Sequence, residues 1–194
     1  DNQWGYLDKK GQFAIDPVYQ MCFPFQQEVA VAVDQYRWGL IDKDGIWLTE
    51  PRFTLQQEEA FGLFYEDLAL VEENGKFGYV HRSGELHIPP LFEFAGDFGD
   101  GLALVQQGKL GFIDRKGSWV IPAKFEDAGM FSNGLAPVAK GGKWGFIDTS
   151  GEWRIPPRYD EALPFRGPLA WVLDKGAWQY INLEGELVWQ EMEV

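Results

Sequence analysis

The sequence predicts an all-β protein built from tandem repeats. Three observations predict it. The stretch GKWGFID at Gly142–Asp148 returns along the chain as QWGYLD, RWGLID, GKFGYVH, GKLGFID and GAWQYIN. A short turn closed by glycine follows every copy, and an apolar run ending in proline follows the first five turns. Between these landmarks the residues alternate, with Gly and Pro as punctuation and no sustained helical period.

The repeat is measured on its Trp position, occupied by Trp4, Trp38, Phe77, Leu110, Trp144 and Trp178. Successive spacings are 34, 39, 33, 34 and 34 residues. The long step carries an insertion near LQQEEAFGLFYED, residues 55–67. A constant period of this size marks a stacked repeat protein, because one unit cannot bury its own apolar face. The chain therefore reads as a single array over residues 1–194.

Each element has a local cause. WGFID is short, aromatic-rich and alternating, as a strand requires, with Trp144 and Phe146 on one face and Gly145 and Ile147 on the other. The turns DKKG, DKDG, HRSG, DRKG, DTSG and NLEG begin at Asp8, Asp42, His81, Asp114, Asp148 and Asn182. A short acceptor side chain opens such a turn, and Gly supplies its positive φ. The runs AIDP, LTEP, HIPP, VIPA and RIPP form a second strand, which proline then ends by withholding a donor. An aromatic follows at Tyr19, Phe53, Phe92, Phe125 and Tyr159. Runs such as LALV and LAPV supply a third strand. Each repeat thus reads as about three short strands and a Pro/aromatic loop, with one possible helical turn around PPRYDEALPF (Pro156–Phe165).

There are six hairpins but five strands of the LALV type, so neither end completes the other. That count favours an open, superhelical array of β-hairpins; a closed propeller-like or barrel-like arrangement is the alternative.

These phased motifs resemble the WG (KWG) repeat found in tandem in bacterial proteins: Gly-Lys-Trp-Gly-aromatic-Ile-Asp, a Gly turn, Ile-Pro-Pro, Tyr/Phe-Asp and Gly-Leu-Ala-x-Val. The resemblance spans essentially the whole chain. Departures are Phe77 and Leu110 for Trp, Gln179 for Gly, and His81 and Asn182 for Asp. It implies an all-β repeat protein that serves as an interaction module, and it implies no defined enzymatic activity.

Composition narrows the function. The chain of 194 residues is 45% hydrophobic and 16% aromatic, enough for a core, with formal net charge −13. Such a charge repels phosphate backbones and anionic headgroups, so neither nucleic-acid binding nor membrane docking is expected. No run of about 18 apolar residues is present, so no membrane insertion is expected either. The single cysteine, Cys22, leaves no intramolecular disulfide. The chain opens on Asp1, which reads as a processed form or an excised fragment; cytoplasmic and exported locations both stay open.

Candidate chemistry is sparse. The turn acids Asp8, Asp42, Asp114 and Asp148 form either a cation-binding ladder or a set of turn caps. Capping is the stronger reading, because Asn182 and His81 stand in equivalent slots. His81 and His87 lack further ligands at metal-site spacing, so no metal or other cofactor is expected. The in-phase aromatics, Trp4, Trp38, Trp144 and Trp178 among them, read as core. Trp47, Trp119 and Trp153 fall out of phase, as do Trp171 and Trp189, and these five are the better candidates for a surface role. The first three either form a ligand row or cover neighbouring hairpins. Phe61, Phe64 and Tyr65, in the insertion, complete the candidate surface. The expectation is a non-enzymatic module for a protein partner, then a glycan-binding module using the exposed Trp, and third an enzyme centred on the insertion.

Overall fold

A computed structural model describes residues 3–55 and 62–191. The described residues contain strands and turns and no helix. They form six small antiparallel sheets, each continuous in sequence, and no closed barrel. The chain divides into two compact units, residues 1–91 and 92–194.

Unit one holds three sheets. The first pairs β1 (Trp4–Leu7) with β2 (Phe13–Tyr19). The second runs β3 (Met21–Cys22), β4 (Ala30–Asp34), β5 (Arg37–Ile41), β6 (Trp47–Thr54). The third runs β7 (Phe64–Tyr65), β8 (Leu68–Glu73), β9 (Lys76–His81), β10 (Leu86–Phe92). Unit two holds β11 (Phe94–Gly99), β12 (Leu102–Gln107), β13 (Lys109–Asp114), β14 (Trp119–Phe125); then β15 (Leu135–Lys140), β16 (Lys143–Asp148), β17 (Trp153–Tyr159); then β18 (Glu161–Ala162), β19 (Ala170–Asp174), β20 (Ala177–Ile181), β21 (Leu187–Gln190).

The three strands expected per repeat are present, and the Pro/aromatic loop adds a fourth. It is two residues long in β3, β7 and β18. In the fifth sheet it shrinks to one bridge, Ala128 to Val138, supported by Gly129 N donating to Pro137 O at 2.8 Å. The helical turn expected around Pro156–Phe165 does not form. Residues there leave β17 and enter β18, because each Pro removes a donor that a helix would need.

The turns fold as their residues dictate. Asp148 Oδ1 accepts from Ser150 N (3.0 Å) and Glu152 N (3.1 Å), and Gly151 closes the turn at φ 85°. Asp8, Asp42, Asp114 and Asn182 accept the same two backbone donors. At His81 the ring Nδ1 replaces the carboxylate and accepts from Ser83 N at 3.1 Å.

Within each unit, alternation gives a sheet a forward face, toward the next sheet in sequence, and a backward face. In the fifth sheet Leu135 and Phe146 look forward; with Ile155 and Tyr159 they pack on Ala170, Val172 and Ile181 of the sixth. Ala136, Val138 and Ile147 look backward onto Leu104, Phe112 and Ile121 of the fourth. Unit one repeats the scheme: Val31, Trp38, Leu40 and Phe53 pack on Ala69, Val71 and Val80. Each fully buried large side chain contributes roughly 1.5–3 kcal/mol. Among the described residues no polar or charged residue is buried. The glycine carbonyl of a turn also ties sheets together. Gly45 O accepts from Tyr19 Oη (2.8 Å), Gly84 O from Thr49 Oγ1 (2.5 Å) and Gly185 O from Arg158 Nη2 (2.7 Å).

Register explains why tryptophan is followed by glycine. Trp144 pairs with Tyr159 and Phe146 with Ile155, so one residue, Gly145, faces three. The same two-residue excess separates Trp4–Tyr6 from Ile15–Tyr19, Trp38–Leu40 from Thr49–Phe53, and Leu110–Phe112 from Ile121–Phe125. The extra residues carry the prolines and bow across the glycine. A Cβ on Gly145 would press on the Ile155 carbonyl and sit 2.7 Å from Pro157 N. In the last sheet Gln179 replaces glycine, and there the pairing Gln179–Gln190, Tyr180–Trp189 has no such excess.

Candidate functional site

Of the out-of-phase indoles, Trp47, Trp119 and Trp153 occupy one strand position, the first residue of the second hairpin strand. Trp47 is partly buried and meets Tyr19 edge-on, with ring centroids 5.4 Å apart. Trp119 is 38% exposed and meets Phe92 edge-on at 6.1 Å. Trp153 is partly buried against the core of the fourth and fifth sheets. All three therefore cover the strand of a neighbouring hairpin. Trp153 also walls two hollows. One, of about 210 Å³, is shared with Lys124, Phe125, Ala139 and Lys140. The other is an open cleft of about 620 Å³ where Asn133, Asp148, Arg154 and Glu184 gather.

Of the insertion residues, Phe61 lies outside the described residues. Phe64 packs on the core of unit one, with the Arg82 guanidinium 4.4 Å from its ring centroid. Tyr65 is exposed. The polar groups around this segment hold backbone. Gln26 Nε2 donates to Gly62 O (2.9 Å), and Arg82 donates to Gln26 O (2.8 Å) and Asp67 Oδ1 (3.3 Å).

The ionisable groups are mostly turn caps or surface charges. Cys22 has its pKa raised by burial, an effect only partly offset by its hydrogen bond with Tyr6, so it stays a thiol. Among the described residues no group of three His, Cys, Asp or Glu is arranged to hold a metal ion. Asp97 is half-buried, and loss of solvation raises its pKa. The equivalent positions of other repeats hold Pro24, Met130 and Pro164.

Sequence reasoning placed Trp4 in the core, and the structure corrects this. Trp38 is 1% exposed but Trp4 is 54% exposed, although both open the same motif. Trp38 lies on a strand flanked by β4 and β6, whereas β1 pairs only with β2.

A second surface is only partly legible in the sequence: Trp171 and Trp189 stand out there as out-of-phase aromatics suited to a surface role, whereas Trp178 reads as core and Tyr180 is not singled out. On the forward face of the last sheet, Trp171, Trp178, Tyr180 and Trp189 form a continuous aromatic patch. Centroids are 5.6 Å apart for Trp171–Trp178, 4.9 Å for Trp171–Tyr180 and 6.0 Å for Tyr180–Trp189. Trp171 and Trp189 are 38% and 50% exposed. A groove of about 540 Å³ opens beside Trp171 and Tyr180, lined by Leu163, Pro164, Arg166 and Leu169. The available signal was substitution within the repeat: Trp171 stands where Leu104 stands, and Trp189 where Ile121 and Ile155 stand.

These features define a tandem β-sheet repeat protein with exposed aromatic surface. The chain belongs to the WG-repeat family: the model of the WG containing repeat matches residues 4–33, 38–77, 77–110, 111–144 and 144–178. Among solved structures it is similar in fold to Hsv2p of Kluyveromyces lactis, at TM-score 0.52 and 11% identity over 84% of this chain and 60% of that one. KlHsv2 with loop 6CD replaced by a Gly-Ser linker gives 0.51 and 11% over 89% and 67%. A eukaryotic initiation factor structure gives 0.50 and 14% over 80% and 51%. This chain thus spans about 51–67% of the length of these structures. No curated protein sequence matches it. Among the described residues no helix is long and apolar enough to cross a membrane.

Proposed function

We propose that this chain is a non-enzymatic binding module for a protein partner, and that the partner seats on the forward face of the last sheet. The observation that carries the reading is the exposed Trp171–Tyr180–Trp189 patch with its adjoining groove. Forward faces elsewhere bury Leu104, Ile121 and Ile155, each no more than 4% exposed. Exposed contiguous aromatic surface is a mark of an interaction site, and large aromatics dominate the binding energy of protein contacts. A net charge of −13 favours a partner with a basic rim.

The test is comparative affinity capture from the native extract. Proteins retained by the parent chain and by a Tyr36→Ser control, but lost with Trp171→Ser/Trp189→Ser, support the reading. Identical capture by all three sinks it.

The cleft at Trp153 favours a second reading, a glycan site. An indole face for stacking stands beside carboxylate, amide and guanidinium groups that suit sugar hydroxyls. Quenching of Trp fluorescence by soluble polysaccharides, abolished in Trp153→Ala, tests it; no quenching by any glycan removes it.

A further inference from the structure

At three of the four sheet junctions inside the two units, a side chain of the earlier sheet donates to the turn-glycine carbonyl of the later one. Tyr19 Oη reaches Gly45 O (2.8 Å) and Thr49 Oγ1 reaches Gly84 O (2.5 Å). Arg158 Nη2 reaches Gly185 O (2.7 Å) and also donates to Tyr159 Oη. The junction between the fourth and fifth sheets lacks this tie. Its glycine packs as the others do: Gly151 faces the Ile121 side chain, as Gly45 faces Ile15 and Gly185 faces Ile155. The donors are what differ. Register puts Phe125 at the position of Tyr19 and Tyr159, and Ile121 at the position of Thr49. Lys124 stands in the slot of Arg158, but its ammonium lies 5.2 Å from the centroid of the Phe125 ring. Among the described residues no side chain donates to Gly151 O.

The hollow of about 210 Å³ opens at this junction. Phe125, Trp153 and Gly151 line it, and the exposed Lys124, Lys140 and Glu126 complete it. At the equivalent place in the first junction, Tyr19 and Trp47 meet edge-on with centroids 5.4 Å apart.

We propose that this hollow is a binding site for a small aromatic acid that carries a hydroxyl group. The hydroxyl takes the place of Tyr19 Oη and donates to Gly151 O. The ring lies against Phe125 and Trp153, and Lys124 and Lys140 hold the carboxylate. The site sits between two internal sheets and is independent of the aromatic face proposed for a protein partner.

Size, charge and hydrogen bonding each narrow the ligand. An apolar cavity of about 150 Å³ admits a benzene ring, so this one takes a single ring with its substituents. The chain as a whole, at −13, repels anions. Here two lysines outnumber one glutamate, and among the described residues neither lysine is held in an ion pair. Their ammonium groups are therefore available for charge-assisted hydrogen bonds to a carboxylate. A mostly apolar wall with a few convergent polar groups is the usual make-up of a small-molecule site.

The test is a titration of the whole chain with para-hydroxybenzoate, followed in proton–nitrogen NMR spectra at the Gly151 amide and the Trp153 indole Nε1–H. Saturable shifts at both are expected. Benzoate, which lacks the hydroxyl, binds about three- to ten-fold more weakly. Lys124→Gln/Lys140→Gln changes two exposed side chains, melts as the parent does and weakens binding about ten-fold or more. Phe125→Tyr supplies the hydroxyl from the protein itself, so it melts higher than the parent and loses the shifts. If that variant does not fold, the lysine pair decides. A parent chain without saturable shifts overturns the proposal and leaves Gly151 O to water. Equal affinity for benzoate and para-hydroxybenzoate overturns it too, as does parent-like binding by the lysine variant or by a folded Phe125→Tyr chain.

Discussion

A Cβ on Gly145 would stand 2.7 Å from the backbone nitrogen of Pro157, because the Pro-bearing strand bows over the glycine of the Trp-Gly pair. Gly145 does not adopt a positive φ. Conformational entropy alone therefore says that Gly145→Ala stabilises by about 0.5–1 kcal/mol. The close approach says the reverse, a loss of roughly 1–3 kcal/mol or more. Denaturant unfolding of Gly145→Ala reads the sign. Gln179→Gly, where the bow is missing, is expected to lose only about 0.5–1 kcal/mol.

The tryptophans of the motif are not equivalent in stability. Trp38 is fully buried, meets Phe53 with centroids 4.8 Å apart and donates from Nε1 to Thr54 O at 3.1 Å. Trp38→Ala costs roughly 3–5 kcal/mol. Trp4→Ala changes stability by no more than about 0.5–1 kcal/mol, since its ring is over half exposed. Trp144, partly buried, falls between. Equal losses at Trp4 and Trp38 in parallel melting curves would contradict this order.

Asp148 is a turn cap whose Oδ1 accepts two backbone donors. Asp148→Ala loses about 1 kcal/mol, whereas Asp148→Asn is close to neutral, as Asn182 already demonstrates in place. The Ser150 hydroxyl is the main cause holding the Asp148 carboxyl below the usual carboxylate range. A carboxyl with lowered pKa stabilises above the ordinary range, and that contribution is lost as pH falls through the lowered value. The stability gap between the parent and Asp148→Ala accordingly narrows in acid. Calcium is expected to leave the melting temperature of the parent unchanged; an upward shift would revive the cation reading.

Asp97 runs the opposite way. Burial raises its pKa, so the folded state holds its proton to higher pH than the unfolded chain does. Its ionisation therefore subtracts stability as pH rises from the ordinary carboxylate range, about 4, through its raised value. Asp97→Met, the residue of the equivalent position 130, is expected to melt higher than the parent at pH 7. The advantage shrinks towards pH 4. A pH-independent difference would assign the effect to packing instead.

Much of this was legible in the sequence because it is local. A short acceptor side chain with Gly three residues on makes its own turn, whatever surrounds it, and His81 and Asn182 obey the same geometry as Asp148. Strand alternation and the proline stops are properties of a few neighbouring residues, so they survive as pattern. The strands β3, β7 and β18 were illegible because two residues carry no period; they exist only where an LALV-type strand offers its free edge.

The sequence by itself determined the repeat, its period, its turns and its all-β character, since backbone sterics and hydrogen bonding act over a few residues. Tertiary structure alone decided which indoles are scaffold and which are surface. Burial depends on which strands and sheets surround a side chain, so Trp4, on a strand paired only with β2, and Trp38, on a strand between β4 and β6, share a motif and differ in exposure. It also decided why glycine follows tryptophan: the bow of Asp16–Pro17 over Gly5, or of Pro156–Pro157 over Gly145, arises only when two strands of unequal count are paired.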